Sequence, residues 1–168
     1  STLTFASFAE TTQLTATVTD ANGETVSGAT VTWVTSDAAV ATVSSAGLVT
    51  SVADGTATIT VTSGSLTASA SVTVVQAESI VELSPSSLAF ASLADTATLT
   101  ATVKDAGGTA IPGAIVTWVT TATTVATVSS TGLVTSVADG SATIIALSGS
   151  ISDATAASIA LSDSISGG

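Results

Sequence analysis

Twelve carboxylates and one ammonium, that of Lys104, make up the charged chemistry of this 168-residue chain, which has no His, Cys, Tyr or Met. Ser-His and Cys-His nucleophile pairs, zinc sites built on His or Cys, and haem ligation therefore have no residues to use. Catalysis would rest on carboxylates alone, and a glycosidase needs two of them at a set separation in a cleft. Here the acids are spread along the turns as Asp20 and Glu24, Asp37, Asp54 and their later counterparts, which argues against an enzyme. Calcium takes about six to eight oxygen ligands, and no Asp-x-Asp-x-Asp-Gly loop occurs. Glu78 and Glu82, joined by a neighbouring carbonyl or acid, are the calcium candidates, with solvated linker charge as the competing reading; no other cofactor is indicated. Asp54 and Asp139 each precede a Gly and read as turn residues rather than ligands. Asn22 is followed by Gly-Glu, so there is no N-glycosylation sequon.

The net charge of -11 repels phosphate backbones and anionic headgroups, which excludes nucleic acid and electrostatic membrane docking as partners. No apolar run approaches the roughly 18 residues of a membrane span, and no series resembles a signal peptide. The chain starts at Ser1 without Met, as a processed chain or an excised segment would. A single Lys or Arg offers trypsin-like proteases one cut, which suits life outside the cell.

The elements that carry these residues come in two copies. Residues 3–66 return as residues 88–151 with a constant offset of 85, and 42 of the 64 positions are identical without a gap. Such self-similarity marks an array of modules, each of about 80 residues and near the small end of what folds alone. Leu14, Ala16 and Val18 alternate with Thr15, Thr17 and Thr19, and the same period of two runs through 57–62 and 66–74. These are half-buried antiparallel strands. Gly-containing turns such as Asp20-Ala-Asn-Gly23, Ala46-Gly47 and Asp54-Gly55 separate them, at the spacing of a two-sheet sandwich. The fold class is all-β, with about seven strands per module. Trp33 and Trp118 sit mid-strand in Val-Thr-Trp-Val and are the core residues expected to fill the space between the sheets.

The shared elements are Leu-Thr-Ala-Thr-Val, Gly-Ala-x-Val-Thr-Trp, Val-Ala-Thr-Val-Ser-Ser-x-Gly-Leu-Val-Thr and Asp-Gly-x-Ala-Thr-Ile. As a set they resemble the bacterial Ig-like domains of group 2, found in tandem on surface proteins and in some phage structural proteins. The resemblance implies two tandem Ig-like β-sandwich domains arranged as a rod, acting as spacer, stalk or adhesive module outside the cell, and brings no catalytic residues. The domains are expected at 1–77 and 78–168.

The two copies differ at their ends. Ser79-Ile-Val-Glu-Leu-Ser-Pro85 precedes Leu88 and resembles the family's opening strand, whereas only two residues precede Leu3. The first repeat is therefore expected to lack its first strand, leaving an unpaired edge. At the same offset Asp163-Ser-Ile165 matches Glu78-Ser-Ile80, so Ser164, Ile165 and Ser166 form a candidate strand donor for a neighbouring copy. Strand addition of this kind builds head-to-tail fibres; a covalently attached upstream module is the other source. Thr30, Thr60 and Thr62 become Ile115, Ile145 and Leu147, a candidate partner surface. The competing reading is a register shift, since Asp153 falls where the first repeat has inward Ala68. The function expected is a structural surface protein, a fibre subunit or a stalk segment, that self-associates or joins neighbouring Ig-like domains. The alternatives are an adhesin module for a receptor or polysaccharide, and a phage or virion decoration domain.

Overall fold

The computed structural model describes residues 1–160, and among them every regular element is a β-strand. Seven strands precede Ala77: β1 (Thr2–Phe5), β2 (Thr11–Gln13), β3 (Thr32–Thr35), β4 (Ala41–Val43), β5 (Leu48–Ser51), β6 (Gly55–Ser63) and β7 (Leu66–Val74). Nine follow: β8 (Ile80–Ser84), β9 (Ser87–Phe90), β10 (Thr96–Thr98), β11 (Thr100–Lys104), β12 (Thr117–Thr120), β13 (Ala126–Val128), β14 (Leu133–Ser136), β15 (Gly140–Ser148) and β16 (Ile151–Ile159). The chain divides into two compact units, one of Ser1–Ala77 with Asp105–Thr109, the other of Glu78–Lys104 with the residues from Ala110 onward.

In the first unit a four-stranded sheet in the order β1-β7-β6-β3 faces a three-stranded sheet in the order β2-β5-β4. β1 runs parallel to β7; the other pairs are antiparallel. The period of two in β6 and β7 turns Ala57, Ile59, Val72 and Val74 inward and leaves Thr and Ser outward. Phe5 from β1, Ala41 and Val49 from the other sheet, and Val40 complete the core. The second unit repeats the plan as β12-β15-β16-β9 and β10-β14-β13, with Phe90, Leu99, Ala126, Val134 and Ile144 between them.

The two tryptophans lie half-buried against these cores. Each is seated on a glycine. A Cβ at Gly47 would stand 2.6 Å from the Leu14 carbonyl oxygen and 3.0 Å from the Trp33 ring; at Gly132 the distances are 2.4 Å from the Leu99 oxygen and 2.9 Å from the Trp118 ring. Both glycines also have φ above +75°, at +85° and +80°, a conformation that costs any L side chain.

The second unit carries one sheet with no counterpart in the first, the antiparallel pair β11-β8. The strand expected over residues 14–19 is not formed: residues 14–18 are irregular and Thr19 makes only an isolated bridge to Thr25. The alternating side chains are in place, but no described strand lies alongside to accept and donate the ladder hydrogen bonds.

Candidate functional site

The unpaired segment borders an open groove of about 390 Å³ in the first unit. Residues 15–19 form one wall, Val61 and Ser63 at the end of β6 the floor, and Leu66 and Ala68 of β7 the other wall, with Val31 between. A smaller recess of about 90 Å³ shares Thr15, Val61 and Ala68 and reaches the Trp33 ring. Apolar groups that the sandwich would bury stay accessible here: Val18 and Val61 are half-buried, Ala16 and Ala68 exposed, and Leu66 is 57% exposed.

The second unit shows the same positions with a strand laid across them. β8 pairs with β11 so that Val81 stands opposite Val103 and Leu83 opposite Ala101. Val81, Val103 and Ala146 then form a buried cluster, with Leu83, Val116 and Ile151 packed against it. Subtracting 85 from Val103, Ala101, Val116, Ala146 and Ile151 returns Val18, Ala16, Val31, Val61 and Leu66. The groove walls are therefore the counterparts of the residues packed with β8 one repeat later, and burial follows the strand: Val103 is 4% exposed, while Val18 is only half-buried.

Polar groups add to the hold on β8. The Leu83 N–H donates to Asp153 Oδ2 at 2.9 Å, the Thr155 hydroxyl donates to the Pro85 carbonyl at 3.2 Å, and Lys104 Nζ meets Glu82 Oε2 at 2.6 Å. The first repeat has Ala68, Ala70 and Thr19 at those positions. Its groove offers none of the three.

Of the residues singled out by sequence, Ser164, Ile165 and Ser166 lie outside the described residues. Ile115 is 82% exposed. Ile145 stands opposite Val119 and Leu147 opposite Thr117 on the outward face of β15. The register there is unshifted: Ile144 pairs with Thr155 as Ile59 pairs with Ala70, 85 residues earlier. Asp153 keeps its inward position because its carboxylate has the Leu83 N–H to bind. Glu78 is exposed, the Glu82 carboxylate holds the Lys104 ammonium, and among the described residues no three acids gather as a metal site. Asp54 accepts from the Gln76 N–H at 2.8 Å, across to the end of β7 rather than within its own turn. Asp20 does close its own turn, accepting from the Asn22 and Glu24 N–H groups at 2.8 and 3.0 Å; these bonds, that of Glu24 foremost, hold its carboxyl below the usual value.

The groove walls Val31, Val61 and Leu66 were not singled out by sequence. Their signal was the offset itself, since each is the counterpart of a residue in, or packed against, the cluster that β8 joins through Val81.

A family model described as bacterial Ig-like domain (group 2) matches residues 5–74 and 79–159. Among solved structures, the chain is similar to domains 1-6 of the surface layer protein SbsC, with 26% identity and a TM-score of 0.51 over 90% of this chain and 23% of that one. Domains 4-9 of the same protein match with 25% identity and a TM-score of 0.52 over 92% of this chain and 26% of that one. The chain thus spans about a quarter of the length of these structures. No curated protein sequence matches.

Proposed function

The chain belongs to the group 2 bacterial Ig-like domain family over both of its repeats, and from that premise we propose that it is a non-enzymatic structural protein of the bacterial cell surface. Its work is to extend an array of Ig-like modules by taking a strand into its first repeat. Where the strand comes from another copy, the array is a fibre built head-to-tail by donor-strand complementation; where it comes from a covalently linked module, the array is a stalk. The single observation that carries this reading is the groove along residues 15–19, lined like the bed of β8. The similarity to stretches of a surface layer protein supports placing the chain outside the cell. An unpaired extended segment over an apolar floor is otherwise a liability that proteins cover or blunt.

Two measurements test the reading. Immunogold labelling of intact producing cells is expected to mark their surface, and label that appears only after permeabilisation contradicts the location. Electron microscopy of the concentrated chain distinguishes the two arrays. Filaments that disappear in Val18→Lys indicate a fibre, whereas a chain that stays monomeric at every concentration removes the fibre and leaves the stalk.

A further inference from the structure

We infer that the groove of the first repeat selects an extended strand with apolar residues at two inward positions, two residues apart, and no carboxylate between them. The inference rests on the strand-acceptor reading above and adds the chemistry of the donor. The occupant is the opening strand of another Ig-like module, running antiparallel to residues 15–19.

The template is β8. Its inward residues Val81 and Leu83 face Val103 and Ala101, whose counterparts Val18 and Ala16 line the groove. Between them Glu82 points outward and its carboxylate meets the Lys104 ammonium. In the first repeat that ammonium is replaced by Thr19, and residues 1–77 contain five carboxylates and no Lys, Arg or His. A donor with Glu at the central position would add a sixth negative side chain with no basic side chain of residues 1–77 to meet it.

The second constraint comes from the missing clamps. Asp153 and Thr155 bind the backbone of the β8 segment at Leu83 and Pro85, whereas Ala68 and Ala70 can bind neither. A donor to the first repeat is held by the backbone ladder with residues 15–19 and by side-chain burial over Val61 and Leu66. Apolar residues are then needed at both inward positions. The residues that the offset of 85 brings to the same register, Ile165-Ser-Gly-Gly168, have no acidic side chain, but they bring Ser166 and Gly168 where Val81 and Leu83 would stand.

The test titrates the full chain against labelled peptides spanning residues 79–86 and follows fluorescence anisotropy. Four peptides are compared: the native sequence, Glu82→Gln, the Glu82→Gln peptide with Val81→Ser and Leu83→Gly added (tail-like), and a scrambled control. The Glu82→Gln peptide is expected to bind, and the native peptide to bind about two- to fivefold more weakly at low salt, the gap closing as salt is added. The tail-like peptide is expected to lose about tenfold or more. Equal binding of the native and Gln peptides at low salt overturns the charge rule while the acceptor stands. Tail-like binding equal to that of the Gln peptide overturns the apolar rule while the acceptor stands. Failure of every peptide, or equal binding of the scrambled one, overturns the strand-acceptor reading itself.

Discussion

Leu14-Thr-Ala-Thr-Val18 and Leu99-Thr-Ala-Thr-Val103 are the same five residues, yet only the second copy contributes to a strand, β11. The difference is the neighbour. β8 supplies hydrogen-bond partners to residues 100–104 and closes over Val103 and Ala101, whereas no described strand pairs with residues 15–18. A strand is a property of a pair, because an extended backbone gains its regular hydrogen bonds only from another one. The comparison also divides the module in two. The sandwich core is built alike in both repeats, and among the described residues the opening strand with its clamps is present in the second repeat.

The largest effect expected from breaking this comparison is a charge placed under the strand. Val103→Lys puts an ammonium into a site that is 4% exposed and should destabilise the second unit by about 3 kcal/mol or more. Val18→Lys, the same change on an open edge, should cost the free chain under about 1 kcal/mol. Hydrogen exchange in urea, read repeat by repeat, gives both values. The next test concerns what the repeats share. Gly47→Ala and Gly132→Ala each force a Cβ against a carbonyl oxygen at positive φ, and each should cost about 2 kcal/mol. Equal losses in thermal unfolding support two equivalent cores; unequal losses show that the cores differ too.

Smaller effects sharpen the edge. Asp153→Ala leaves the Leu83 N–H without its partner and should lower the stability of the second unit by about 1–2 kcal/mol. The mirror change Ala68→Asp, at an exposed position, should move the first unit by less than about 0.5 kcal/mol. The smallest effect is that of pH. The Asp20 carboxyl is held below its ordinary value of 3.8 by the Glu24 and Asn22 N–H groups. A folded-state value below the unfolded one adds stability that is present above the unfolded value and lost as pH falls through the folded one. Between pH 5 and about 2 the wild-type first unit should therefore lose a component that Asp20→Asn lacks, measured as the difference in melting temperature between the two across that range.

Much of this was legible in the sequence because repetition and period two are physical signals. The duplicated modules, the β class and the mid-strand position of Trp33 and Trp118 followed from spacing alone. The irregular state of residues 14–18 did not, because alternation reports which side chains would face inward and says nothing about whether a partner strand is present. Asp153 looked like a sign of slipped register, since an acid on an inward position is costly; it stays because a backbone N–H of β8 meets it. Asp54, next to Gly55, carried the signature of a local turn, but its carboxylate reaches Gln76, 22 residues away. Contacts of that length leave no mark in a local pattern. The groove walls were hidden for a further reason, since each is an ordinary Ala, Val or Leu and acquires meaning only when aligned with its counterpart under β8.

The most direct measurement is amide hydrogen exchange at residues 15–18 and 100–103 of the monomeric chain in one experiment. The account predicts that residues 100–103 exchange slowly and residues 15–18 fast, and that residues 15–18 become slow when the Glu82→Gln peptide of residues 79–86 is added. Equal protection of the two identical segments, with no peptide present, would contradict it.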